Sequence, residues 1–261
     1  MDAVDAEAIC EAVARPTMRF VPIKSAECQA ALMVLKTRDL LVRQRTQAIN
    51  AVRGHLAELG IVAAKGLAKV ETLIAIVRDE NDQRLPASGR TALKLLADHI
   101  EGLTVRIEIL GREIVAEVRR DDTMRRLATI PGVGPITAAT IKALVPDPGA
   151  FKSGRHFAAW IGLTPKMHSS GGKERLGKIS KMGNPALRSL LVVGATAVLQ
   201  HARRTRCGAT ISPWLTALLA RRPAKVAAIA LANKMARIVW ALLTKGGTFI
   251  RNNGAAVQAA A

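Results

Sequence analysis

The chain has 261 residues, 49% of them hydrophobic and only 3% aromatic, with no tyrosine. Its net charge of +19 sits in one half: residues 1–123 carry 18 Lys and Arg against 18 Asp and Glu, whereas residues 124–261 carry 21 against two, Asp147 and Glu174. An aliphatic, aromatic-poor chain argues against a β-sandwich and for packed helices; three scattered cysteines, Cys10, Cys28 and Cys207, argue against a disulfide framework or zinc site and suit a reducing cytoplasm.

Residues 1–14 read as a short amphipathic helix. Asp2, Asp5, Glu7 and Glu11 are the wrong residues for a signal peptide, and no run of about 18 apolar residues predicts a membrane span. Pro16 and Pro22 break the chain. A long helix is expected over 25–59, with Ser25 as N-cap and Gly60 at its C-terminal end. A second helix is expected over 67–78, then a polar break, DENDQRLPASGR, and a third helix over 88–120. Leu93, Leu96, Ile100, Leu103, Ile107, Leu110, Ile114 and Val118 recur at spacings of three and four. That seam predicts either a helical hairpin within the chain or a coiled coil between chains, and hence a homo-oligomer.

Charge and composition change at 120–123, where a domain boundary is placed. Short helices are expected after it over 123–129, 135–145, 151–161, 184–200 and 223–244, ending in a frayed tail over 251–261. The fold class is therefore mainly α: a helical-hairpin or coiled-coil region over 25–122, then a basic, Gly/Pro-loop-rich helical domain over 123–250.

A field of one sign over half a protein attracts a polyanion, most simply DNA. Two stretches are suited to hold it. In LATIPGVGPITAATIKALV, two apolar helices flank a Pro-Gly-Val-Gly turn, a pattern similar to the helix-hairpin-helix module. Gly132, Val133 and Gly134 would let the backbone approach a phosphate at the N-terminal end of the second helix. A plain helical hairpin is the alternative. The second stretch, HSSGGKERLGKISKMGN, follows an apolar helix that ends near Gly162 and Pro165. Its glycines leave room around Ser169 and Ser170, and Lys166, Lys173, Arg175, Lys178 and Lys181 supply charge for a phosphate. A serine hydroxyl is a weak nucleophile without a base or strong electrostatic help. His168 is adjacent in sequence, but the basic half has no carboxylate to spare for a Ser-His-Asp triad or a metal site. An ordinary solvated linker is the alternative here.

Together, LATIPGVGPITAATIKALV, GLTPK, HSSGGKERLGKISKMGN and KVAAIALANKMARIVWALL closely resemble, in this order, the C-terminal domain of one family of bacterial insertion-sequence transposases. Members carry an N-terminal RuvC-like DEDD domain, a coiled-coil region and a C-terminal serine domain, and the family is known for recombination guided by a bridge RNA. The resemblance implies that Ser170 is the nucleophile, with Ser169 as the second assignment. It also implies DNA as substrate, a structured guide RNA as a further partner, and Mg²⁺ in the complete DEDD site. The segment MDAVDAEAI resembles the stretch that holds the last two acids of DEDD, which maps Asp2 and Asp5 onto that catalytic, metal-binding pair. Residues 1–24 are then a remnant of the RuvC-like domain, and the chain reads as an N-terminally truncated transposase without the sheet, with no cofactor of its own. Taken without the family, two acids three residues apart at a helix start are complements to its dipole. Two functions follow as expectations: DNA transposition by serine attack on a DNA phosphate, or nucleic-acid binding without chemistry.

Overall fold

The computed structural model describes residues 2–16, 18, 23–169, 172, 175–204 and 212–250. It is mainly α, as the composition predicts. Among the described residues ten α-helices run in order: α1 (Asp2–Ala14), α2 (Ala26–Glu58), α3 (Ala68–Arg78), α4 (Ala87–Arg120), α5 (Asp122–Ala128), α6 (Pro135–Leu144), α7 (Gly154–Ile161), α8 (Pro185–Arg204), α9 (Pro213–Arg221) and α10 (Ala224–Lys245). A two-stranded antiparallel hairpin, β1 (Pro165–Met167) and β2 (Leu176–Ile179), interrupts them between α7 and α8.

The cap chemistry accounts for most boundaries. The Ser25 hydroxyl accepts from Cys28 N at 3.3 Å and starts α2. Gly60, at φ 75°, takes the left-handed conformation just past its end. Asp121 ends α4 and caps α5, accepting from Met124 N at 2.8 Å. Ser153 and Ser212 cap α7 and α9 in the same way. The chain from Pro148 to Ala150 is a 3-10 turn, so α7 begins three residues later than the expected 151.

The α4 seam resolves in favour of a hairpin within the chain. α2 packs along α4, and Leu93, Ile100, Leu103, Ile107, Ile114 and Val118 are buried, while Leu96 and Leu110 are half-buried. The charge boundary at residue 123 is not a packing boundary. One core gathers the second half of α2, α3 and the start of α4. A larger one joins Ile114 and Val118 at the end of α4 to Met124, Leu127, Ile141, Phe157, Leu187 and Val239, with Val34 and Leu35 of α2 against it. The two long helices therefore enter both cores.

α1 differs from the amphipathic expectation: none of its residues is buried, and Val4, Ile9 and Val13 face solvent. α10 departs from another expectation, because by length and composition it is apolar enough to cross a membrane. Its small residues Ala227, Ala228, Ala232 and Ala236, with Met235 and Val239, are nevertheless buried, and the helix packs on α7 and α8.

The polar break between α3 and α4 is organised by Arg90, which is 7% exposed. Its guanidinium donates to the carbonyls of Val77, Asp79 and Asp82, closing the turn over Leu85. Arg90→Ala strands three inward carbonyls and opens a void, so we expect a loss of about 2–3 kcal/mol. In thermal unfolding that is a fall in Tm of about 4–10 °C, with secondary structure unchanged in the surviving fold.

Candidate nucleic-acid interface

The hairpin turn between α5 and α6 comes first in the basic half. Gly132 has φ 87°, and a Cβ there would lie 2.7 Å from the Gly194 carbonyl oxygen of α8. Conversely, a Cβ on Gly194 would lie 2.0 Å from Gly132 O. The close approach that Gly132 permits is thus to another helix. The Val133 side chain is 4% exposed and its N–H donates to Ile130 O at 2.9 Å. Of the three residues only Gly134 is exposed, with nothing within 4 Å of a Cβ. It precedes Pro135, and no side chain caps α6. What the turn offers an anion is therefore the open first turn of α6, reached past Gly134. Asp121 and Lys142 tie the start of α5 to α6. Burial pushes the Asp121 carboxyl up, but the hydrogen bonds from Lys142 and Met124 N outweigh it and hold its pKa below the ordinary value.

In the serine-bearing segment, residues 165–167 and 176–179 pair as two short strands. Its two ends cross at a rigid foot. α7 ends at Gly162, φ 81°, and a Cβ there would lie 2.0 Å from Met182 O. Gly183, φ 89°, answers from the chain returning after β2, and its Cβ would lie 1.7 Å from Trp160 O. Lys181 N donates to Gly162 O at 3.2 Å and Ser180 N to Thr164 O at 2.8 Å. Lys181 itself adopts φ 57°, the one positive value among the described non-glycine residues. Arg188 reaches back from α8 and donates to Ile161 O at 2.9 Å and Met182 O at 3.3 Å. Asn233 of α10 donates to Leu163 O at 3.2 Å. Asn184 then caps α8 through Leu187 N, with Pro185 in its first turn.

From that foot β1 and β2 project into solvent. Pro165 pairs with Ile179 and Met167 with Leu176, with an irregularity between the two pairs. At the outer end His168 N donates to Arg175 O at 2.8 Å, and the Ser169 hydroxyl accepts from Arg175 N at 3.1 Å. The His168 ring lies across Gly177, where a Cβ would come within 2.6 Å of its Cδ2 and Nε2. Lys166, Arg175, Lys178 and Lys181 are exposed on this hairpin and foot, and among the described residues none of them takes part in an ion pair. Ser170 and Lys173 lie outside the described residues.

One helix links the two stretches. The foot is the start of α8, and Gly194, which holds the turn, lies about 14 Å along the same axis at 1.5 Å per residue. Arg188, Asn184 and Asn233 escaped the sequence reading. The Asn-Pro pair at 184–185 is a readable helix start; Arg188 and Asn233 carry no local signal, since their partners are backbone carbonyls distant in sequence.

Asp2 and Asp5 both lie exposed in the first turn of α1. Among the described residues no group of three His, Cys, Asp or Glu gathers to hold a metal. The pair alone does not fit Mg²⁺, which asks for six oxygen ligands in near-octahedral order.

The sequence profile described as the transposase IS116/IS110/IS902 family matches residues 124–207, from α5 through the hairpin and α8. A protein of Sinorhizobium fredii named as transposase y4pF/y4sB is 50% identical over 255 residues, 98% of this chain and 65% of its own length. A family 20 transposase of Pseudomonas aeruginosa is 48% identical, over 94% of this chain and 72% of its own. The transposase for insertion sequence element IS1328 of Yersinia enterocolitica is 40% identical, over 95% and 73%. The chain thus spans about two thirds of the length of these relatives.

Proposed function

Since the chain belongs to the IS116/IS110/IS902 transposase family, we propose that it acts in DNA transposition and that the β1–β2 hairpin is its DNA-phosphate site. The observation that carries this is the hairpin: a projecting basic ribbon on a foot locked by crossed glycines, in a half with two acids against 21 basic residues. Fixed cations on a rigid support stabilise charge at a phosphate without having to reorganise.

In this reading Ser170 is the nucleophile. Its Oγ forms a bond to phosphorus as a strand P–O bond breaks, leaving a phosphoserine link and a free strand hydroxyl. The serine proton passes to solvent, and the departing oxygen takes one up. Ser169 serves a different end, because its hydroxyl already closes the hairpin tip on Arg175 N. Lys166, Lys173, Arg175, Lys178 and Lys181 neutralise the phosphates, and the open first turn of α6 beside Gly134 takes a neighbouring one. A structured guide RNA, the second polyanion implied by the resemblance, would draw on the same cationic half. Pairing between copies would use surfaces other than the buried α4 seam.

A second reading has one observation behind it. Asp2 and Asp5 stand exposed in the first turn of α1, where they complement its dipole, and a chain that uses them in this way binds DNA without cutting it. A denaturing gel of the chain incubated with labelled duplex separates the two: a covalent protein–DNA band supports strand attack, and binding without such a band supports the second reading.

Either reading predicts tight binding to duplex DNA at low salt, with little sequence preference. If about six phosphates are neutralised, log K falls against log[salt] with a slope near −5. Lys178→Ala should reduce that slope by about 1. A flat salt dependence in fluorescence anisotropy would remove the phosphate site from consideration.

A further inference from the structure

The hairpin carries a feature that phosphate binding does not use. Met167 and Leu176 face each other in register, and they are 71% and 63% exposed. Neither belongs to any of the hydrophobic clusters of the fold. Alternation along β2 places Lys178 on the same exposed face, while Gly177 and Ile179 on the other face are half-buried. The His168 ring covers that other face at Gly177, which leaves the Met167–Leu176 face clear of other described residues.

We propose that Met167 and Leu176 form an apolar wedge that enters the base stack of duplex DNA beside the phosphate held by this hairpin. The proposal rests on the phosphate-site reading and adds what the hairpin does to the duplex. Charge complementarity selects the occupant. The apolar pair is flanked by Lys166, Arg175 and Lys178, and the only carboxylate described after residue 122 is that of Asp147, engaged with Gly149 N. A partner surface must therefore join apolar area to a dense anionic rim, and stacked bases between phosphates do so. Methionine and leucine are among the side chains used to part base steps in bent DNA. A wedge must also resist the force it applies. The crossed Gly162 and Gly183 backbones, and the Arg188 bonds to both ends of the hairpin, supply that stiffness. Unstacking a step turns the adjoining phosphodiester out of its regular path, which opens the line of approach for a hydroxyl on the same tip.

The test uses the full chain and a short duplex with 2-aminopurine at a central TA step, the kind of step that unstacks most readily. Affinity is followed by anisotropy, unstacking by 2-aminopurine emission. Wild-type binding should raise the emission severalfold. The double variant Met167→Ser, Leu176→Ser should bind within about threefold of wild type, because phosphate contacts dominate affinity, but should lose the rise. Lys178→Ala should do the converse, binding more weakly while retaining the full rise at saturation. Saturated binding with no rise, or a rise undiminished in the double variant, overturns the wedge while leaving the phosphate site standing. A change in molar mass of the double variant by light scattering, with emission unaffected, shows instead that the pair covers a second copy of the chain. Absence of salt-sensitive DNA binding removes the phosphate site itself, and the wedge with it.

Discussion

Ser170→Ala is expected to abolish strand exchange while leaving DNA affinity within about twofold of the parent, since one hydroxyl is a small part of a footprint built from phosphate contacts. In a transposition assay, the rate should fall by about 10³-fold or more, the scale on which loss of a nucleophile registers. Ser169→Ala removes the acceptor for Arg175 N and loosens the tip, so its effect should be milder and should include a small loss of affinity. Arg175→Ala should lower affinity and rate together, because a charge beside the phosphate acts in ground and transition states alike. Full exchange by Ser170→Ala would refute the assignment, and if Ser169→Ala were then inert, the nucleophile would be Ser169. If all three variants behaved as wild type, the segment would be a passive connection.

Among the described glycines, Gly183→Ala should be the most damaging substitution. The residue sits at φ 89°, and the added carbon would overlap the Trp160 carbonyl at 1.7 Å. Backbone cannot rotate away as a long side chain can. We expect a loss of about 4 kcal/mol or more, equivalent to a fall in Tm of roughly 10 °C, and a weakened grip on DNA as the foot of the hairpin opens. Gly172→Ala is the control. That residue also has positive φ, at 76°, but nothing lies within 4 Å of a Cβ there. Only the left-handed backbone is penalised, by about 1–2 kcal/mol. Equal Tm shifts in the two variants would show that the crossed foot contributes nothing beyond backbone strain.

The helices were legible because their determinants are local. Periodic Leu, Ile and Val mark α4, the Ser25 hydroxyl marks the start of α2, and Gly60 marks its end. The cationic half was legible by counting, and the order of motifs placed it beside transposases. α9 escaped, although Ser212 and Pro213 are an ordinary helix start, because a nine-residue segment offers too little periodicity to stand out from its neighbours. The hairpin escaped for a stronger reason: its strands have three and four residues and no buried apolar face, so the period of two that betrays a strand is missing. The glycines were legible as necessary, but their partners were not. Gly132 read as room for a phosphate, and the backbone its missing side chain makes way for is that of Gly194. Gly162 and Gly183 lie 21 positions apart, and each makes way for the backbone beside the other. Likewise the α4 seam required a partner without naming one, and the structure supplies α2 of the same chain. Composition, capping and period act over a few residues, so the chain by itself determined its helices, its charge and its kinship. Which backbone meets which is settled only when distant segments exclude water from a common core, and that step set a basic, glycine-rich stretch on a foot of crossed glycines.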